Sequence, residues 1–304
     1  MLLWLKLRRK KILAMIPRTF EALFANSIPD AINFLQQHKG EAKILAGGHS
    51  LIPLMKLRLV SPAYVVDINN IAELSYVKEE DGHILIGGLT RHVAVETSEL
   101  LKMKLPILPE TAFVIGDPQV RNLGTMAGLL AHADPSGDYG AVMLALEAEF
   151  IIVGPGGKRS IKATEFFVDL FTTKLEDDEL LTEVRLPLQP PRSGGVYLKL
   201  ERKVGDFAIV GVAAQLTLDD NNICKSVGIG LTAVGSTPLK AVLAEKALIG
   251  QELDDEHIKI AADKASTEAN PTSDLRGSQE YKREMVRVFV KRALTKAKSN
   301  ALGK

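Results

Sequence analysis

The segment PLQPPRSGG at residues 187–195 divides the chain more sharply than any other stretch. Proline removes the amide donor that helix interiors and central strands need, and glycine loosens the backbone. The segment therefore reads as a linker between two folding units. A length of 304 residues agrees with two units, since one domain takes roughly 100–200 residues. A hydrophobic content of 46% with 25% charged residues is that of a globular protein. It excludes a disordered chain, a collagen and a disulfide framework.

Before the linker, short apolar runs alternate with helical periods. Ser27 and Asp30 signal a helix start, and Ala31, Ile32, Phe34 and Leu35 supply the apolar face of a helix over 27–38. Strands are expected at 43–46, 64–68 and 83–87, the first ending at Gly47-Gly48 and the third at Gly87-Gly88. Helices are expected at 91–103 and 138–148, then a strand at 149–153 and a turn at Gly154–Gly157. This alternation predicts an α/β unit. After the linker come three successive strands, at 196–203, 207–218 and 223–234, with DDNN at 219–222 as a turn. Helices at 237–249, 254–269 and 278–297 follow, which predicts a small α+β unit.

The charge is unevenly placed. Residues 1–14 carry Lys6, Arg8, Arg9, Lys10 and Lys11 and no acid, leaving 33 basic against 37 acidic residues in the rest. Such a body has no general attraction for nucleic acid or an anionic membrane. The first 14 residues read as a basic extension, with the compact protein beginning near Met15 or Pro17. Their charges lie inside the apolar stretch, which is a poor signal-peptide order. No run reaches the roughly 18 apolar residues of a spanning helix. Cys224 is the single cysteine, so no internal disulfide and no Cys-rich metal site is available, and the expectation is a reducing, cytoplasmic compartment.

Three motifs carry candidate chemistry. The first is Ala46-Gly47-Gly48-His49-Ser50-Leu51, directly after a strand that ends at Leu45. Its glycines let the backbone approach a ligand, and successive N–H groups there can cradle a phosphate. Alone it also reads as a plain Gly-Gly turn. The second runs from Asn122 to Asp138 and contains Gly124, Thr125, Ala127 and Gly128, then Asp134 and Asp138. Small residues with a hydroxyl suit a second phosphate contact, and a following carboxylate suits a ribose or adenine edge. No G-x-G-x-x-G is present, which argues against a Rossmann site. The third is the strand holding Tyr197 and Lys199, two residues apart and so on one face. An aromatic face beside a fixed cation suits a flat, electron-accepting ring; a cross-strand Tyr with a solvated Lys is the plainer alternative. His49 and His132 stand in different loops with no H-x-x-x-H pair, so no metal site is expected. Ser50 is not in a G-x-S-x-G elbow.

In this order, the motifs resemble the FAD-binding medium subunit of the molybdenum hydroxylases, the family of carbon monoxide dehydrogenase, glyceraldehyde oxidoreductase and xanthine dehydrogenase. The resemblance runs from Pro17 to about Ala297 and rests on AKILAGGHSLIPLMKLRL at 42–59, IGDPQVRNLGTMAGLLAHADPSGD at 115–138, LEDDELLTEVRLP at 175–187, LKLERKVGDFAIV at 198–210 and GSQEYKREMVRVFVKRAL at 277–294. It implies an FAD-binding domain at 15–186 with two α/β lobes of the vanillyl-oxidase-like type, and a C-terminal flavoprotein domain at 193–297 with a three-stranded antiparallel sheet and helices. It implies non-covalent FAD. Ala46 to Leu51 would wrap the pyrophosphate from one side, and Gly124, Thr125 and Gly128 from the other, with Leu45 and Ala127 also among the cofactor-binding residues. Asp138, with Asp134 near it, would meet the adenosine part, and Leu180 or Leu181 the adenine or flavin rim. Tyr197 would cover the isoalloxazine, with Lys199 at its carbonyl edge.

The resemblance further implies an electron-transfer role with no acid–base residue. Electrons would pass from [2Fe–2S] clusters on a small subunit through FAD to an external acceptor. Substrate oxidation would belong to the molybdopterin of a large subunit. One stretch departs from the family. Where the family has T-I-G-G-N or T-I-G-G-D, this chain has Thr125-Met126-Ala127-Gly128-Leu129. A positive φ at Ala127 would cost about 1 kcal/mol, and a lost polar contact at Leu129 about 0.5–1.5 kcal/mol. Two alternatives stay open: a self-sufficient flavin oxidoreductase, like the peptidoglycan-precursor reductases, and a flavin-free scaffold subunit.

Overall fold

The computed structural model describes residues 16–303, so the basic extension expected at 1–14 lies outside the described residues. Strands β1 (Glu21–Phe24), β2 (Ala42–Leu45) and β3 (Tyr64–Asp67) form a parallel sheet in the order β1-β3-β2. Helix α1 (Ile28–Gln37) starts where the cap signal predicts: Ser27 Oγ accepts from Asp30 N at 3.2 Å. This satisfies one of the amide donors that a helix start leaves open. Ala31 and Leu35 of α1 join Val66, Ile68 and Ile71 in the core of this first lobe. Helix α2 (Leu51–Lys56) follows β2.

The second lobe is built on β4 (Val77–Glu80), β5 (His83–Gly87), β6 (Glu149–Gly154) and β7 (Gly157–Lys162). A small hairpin of β8 (Phe167–Asp169) and β9 (Thr172–Thr173) precedes β10 (Leu180–Pro187). Strand β10 inserts between β5 and β6, giving an antiparallel order β4-β5-β10-β6-β7. Helices α3 (His92–Thr97), α4 (Glu99–Lys104), α5 (Ile107–Phe113), α6 (Pro118–Leu123), α7 (Met126–His132), α8 (Asp138–Ala145) and α9 (Ala163–Phe166) complete it. The single helix expected over 91–103 is two helices. Ser98 interrupts it, and its side chain accepts from Leu101 N at 3.3 Å to cap α4.

The last unit has β11 (Ser193–Leu200), β12 (Val210–Leu218), β13 (Cys224–Thr232) and β14 (Leu239–Lys240) in one antiparallel sheet. The three expected strands gain a short fourth. Helices α10 (Val242–Leu248), α11 (Asp255–Glu268) and α12 (Gln279–Ala301) cover one face. Helix α8 of the second lobe covers part of the other face, where Tyr197 and Ala213 join the second-lobe core. Ser193, Gly194 and Gly195, read from sequence as linker, belong to β11. A Cβ on Gly194 would lie 2.2 Å from Ala297 O of α12, so this glycine serves close packing. Among the described residues no helix is long and apolar enough to cross a membrane.

Candidate functional site

At the end of β2 the chain turns through Ala46, Gly47, Gly48, His49 and Ser50 into α2, which opens with Leu51. Gly48 has φ +74°, a left-handed backbone that favours glycine. Exposed His49 places Nδ1 3.1 Å from Gly47 O. Among the described residues the N–H groups of Gly48, His49 and Ser50 reach no acceptor. One turn thus offers three unused donors.

Gly124 and Thr125 join α6 to α7. Thr125 is buried, and its Oγ1 accepts from Gly128 N at 3.2 Å as the cap of α7. The hydroxyl can still donate its own proton. The two loops touch through backbone. A Cβ on Gly47 would lie 2.3 Å from Leu123 O and 2.8 Å from Gly124 Cα, so any side chain there would push them apart.

Residues 88–92 support the second loop from below. Gly88 O accepts from Ala127 N at 3.0 Å, Thr90 O from Met126 N at 2.9 Å, and Gly124 O from His92 N at 3.0 Å. Gly88 N in turn donates to Thr182 O at 2.7 Å, which sets β10 against this support. The side chains of Leu180 and Leu181 are buried, one in the first-lobe core and one in the second. The His92 ring lies under Gly124, where an added Cβ would be 2.6 Å from His92 Cδ2. Burial pushes the His92 imidazole down to about 4, with His49, Arg91 and Arg121 acting the same way.

Ala127 corrects one expectation. It is the second residue of α7 and is not among the positive-φ residues, so the anticipated backbone cost does not arise. Its Cβ packs towards Gly88, and the half-buried Leu129 packs against the second-lobe core.

Asp138 opens α8 and is 5% exposed. Tyr197 Oη donates to Asp138 Oδ1 at 2.7 Å, and Lys199 Nζ to Oδ2 at 3.3 Å. Lys199 also donates to Val114 O at 2.9 Å and lies 3.5 Å from Glu201 Oε2. Burial pushes the Asp138 carboxyl up to about 6, while Lys199 and the Tyr197 hydrogen bond hold it down. Burial and the neighbouring Asp138 push the Tyr197 hydroxyl well above its usual value. The sequence reading assigns Asp138 and the Tyr197–Lys199 pair to different ends of a ligand; the structure sets them in one cluster. Asp134 stands apart from it. Its Oδ1 accepts from Ser136 N at 2.8 Å, and Thr232 Oγ1 of β13 donates to Pro135 O and Gly137 O at 2.9 and 2.8 Å.

Sequence reasoning misses Asn69 and Arg91. Asn69 Nδ2 donates to Ala46 O at 2.9 Å and to Asp67 Oδ1 at 2.7 Å. Arg91 Nη2 donates to Asn69 Oδ1 at 2.7 Å, and Nη1 donates to Leu123 O. Their only signal in the sequence is that each follows a strand end, at YVVDI and at HILIGG.

Residues 18–189 match the family profile of the FAD binding domain in molybdopterin dehydrogenase. Residues 195–297 match that of the CO dehydrogenase flavoprotein C-terminal domain. The carbon monoxide dehydrogenase medium chain of Hydrogenophaga pseudoflava is 40% identical, over 93% of this chain and 98% of that protein. The glyceraldehyde dehydrogenase medium chain of Sulfolobus acidocaldarius is 39% identical, over 92% of this chain and 98% of that protein. A solved chain of reconstituted CO dehydrogenase from Oligotropha carboxidovorans superposes with a TM-score of 0.92 at 41% identity, covering 94% of this chain and 99% of that one. Two profiles and near-complete coverage of such relatives agree with the geometry of the paired loops, and the chain belongs to the family of FAD-binding medium subunits of carbon monoxide dehydrogenase-type molybdenum hydroxylases.

Proposed function

We propose that this chain holds FAD non-covalently along the seam of its two glycine loops and serves as the flavin subunit of a three-component oxidoreductase. The observation that carries this is the backbone contact of Gly47 with Leu123 and Gly124, which brings two donor-bearing turns together. The residues present fit the group. Unused N–H groups at Gly48, His49 and Ser50, and small residues at Gly124, Thr125, Ala127 and Gly128, suit a diphosphate that needs donors and close backbone approach.

In this reading Leu45 to Leu51 and Gly124, Thr125, Ala127 and Gly128 line the diphosphate. Asp134, Asp138, Leu180, Leu181, Tyr197 and Lys199 shape the remaining length of the site. Asp138, Glu201 and Val114 O hold the Lys199 ammonium in place beside Tyr197. Bound FAD supplies one- and two-electron chemistry, between the [2Fe–2S] clusters of a small subunit and an external acceptor. Substrate oxidation belongs to the molybdopterin of a large subunit. The side chains of this chain bind, orient and shield, and none is needed as an acid or base. The proposed compartment is the cytoplasm.

A tagged copy purified from its native cells tests this, with molybdenum, iron and flavin measured in one fraction. The expected result is co-purification of all three in fixed ratio. A chain recovered alone that carries flavin and oxidises a small substrate would instead support a self-sufficient oxidoreductase.

A further inference from the structure

Arg91 joins the two loops, and among the described residues its charge forms no ion pair. Its backbone forms an isolated antiparallel bridge with Thr125, so it is fixed beside the second loop. Its guanidinium donates to Leu123 O, the residue before Gly124, and to Asn69 Oδ1. Asn69 in turn donates to Ala46 O, the residue before Gly47. One run of hydrogen bonds therefore links the entrances of both turns.

Among the described residues no carboxylate forms an ion pair with Arg91, and the one acid acting on it is Asp67. Asp67 already accepts from the side chain of Asn69. Partial burial lowers the Arg91 pKa from its usual value, yet a guanidinium stays protonated in proteins. A half-buried cation beside unused N–H groups makes a site that favours an anion. Its planar fork has five donors, and the two protein contacts leave others for phosphate oxygens.

We propose that Arg91 binds the diphosphate of the cofactor, with Asn69 as the residue that positions its guanidinium. This rests on the FAD reading above and adds a residue that neither glycine motif contains. The ligand chemistry is a nucleoside diphosphate, recognised by a fixed cation together with backbone donors.

The test uses full-length apo-protein as wild type, Arg91→Gln and Arg91→Lys. Each is titrated with FAD, and with ADP as a competitor lacking the flavin ring, at low and at high sodium chloride. The melting temperature of each apo-protein is read alongside. The expected Arg91→Gln protein melts near wild type but binds FAD about ten- to hundredfold more weakly, the range of hydrogen bonds to a charged group. ADP loses a similar factor, and most of the salt dependence disappears. Arg91→Lys keeps the salt dependence and recovers part of the affinity.

Wild-type affinity in Arg91→Gln overturns the proposal. So does a weakened Arg91→Gln protein that keeps the full salt dependence, because Arg91 would then only brace the loops. If the glutamine variant does not fold, a lysine variant that has lost the salt dependence overturns it. A wild type that takes up no FAD under any salt overturns the cofactor reading itself, and this proposal with it.

Discussion

The Tyr197 hydroxyl donates to Asp138 Oδ1 at 2.7 Å across 59 residues of sequence, joining β11 to the first turn of α8. Lys199, one strand period further on, reaches the other oxygen of the same carboxylate at 3.3 Å. A single buried acid therefore sets two side chains of the C-terminal sheet against the second lobe. If Asp138 loosens, both partners loosen.

That acid gives a pH signature. Burial raises the Asp138 carboxyl from 3.8 to about 6, so between these values the folded state holds a proton that the unfolded chain has lost. The contribution of this group is fully present below the unfolded value and is lost as pH rises through about 6, a span of about 3 kcal/mol. His92 works in the opposite direction over an overlapping range, since its folded value is depressed to about 4. Comparison with Asp138→Asn cancels the histidine. In urea unfolding of the apo-proteins, the stability difference between wild type and Asp138→Asn shifts towards wild type as pH falls from neutral to about 4. A difference that stays constant with pH would remove Asp138 as a titrating group.

At the seam of the loops, Gly47→Ala puts a methyl group 2.3 Å from Leu123 O, a clash with backbone that no side-chain rotation relieves. Overpacking of this kind costs about 1–3 kcal/mol. Flavin retention falls about ten- to hundredfold, with the far-ultraviolet spectrum unchanged. Gly48→Val adds strain at φ +74° and is expected to abolish flavin binding. Full flavin content in both variants would take the first loop out of the site.

Ala127→Gly tests the departure from the usual motif. Ala127 sits in α7 without a left-handed backbone, so glycine relieves nothing there. Glycine within a helix is less stable than alanine by roughly 0.5–1 kcal/mol. The variant is expected to melt slightly lower and to bind FAD within about fivefold of wild type, the factor that this energy sets. A gain of tenfold or more in affinity would show that the Ala127 methyl group crowds the ligand.

Packing between α8 and β13 is tight enough to need glycine. A Cβ on Gly230 would lie 1.9 Å from Ala141 O. Gly230→Ala forces α8 away from the sheet and with it Asp138 away from Tyr197. The expected loss is about 3 kcal/mol or more, at the top of the overpacking range. Denaturant unfolding reads it, and a midpoint within error of wild type would contradict the close approach.

Local signals in the sequence were legible where the physics is local. Ser27 with Asp30 marks the start of α1 because the cap bond spans three residues. The turns at Gly47-Gly48 and Gly124-Thr125 stand out because glycine and small residues follow short strands or helices. Relations across the chain were not legible. Nothing within 180–187 says that β10 enters between β5 and β6, since strand order is set by partners far away in sequence. Ser193–Gly195 looked like linker because the same glycine letter serves a flexible turn and a close strand–helix contact. Asn69 and Arg91 were invisible for a similar reason. Their partners Ala46 and Leu123 lie 23 and 32 residues away. The meeting of Asp138 with Tyr197 needs the C-terminal sheet to be docked before it exists.

The most direct measurement is the absorption spectrum of the full chain purified alone, followed by heat release and identification of the chromophore. Flavin bands are expected, with FAD close to one per chain released without a covalent bond. Folded, colourless protein that also fails to take up added FAD would contradict the FAD reading, and the flavin-free scaffold reading would take its place.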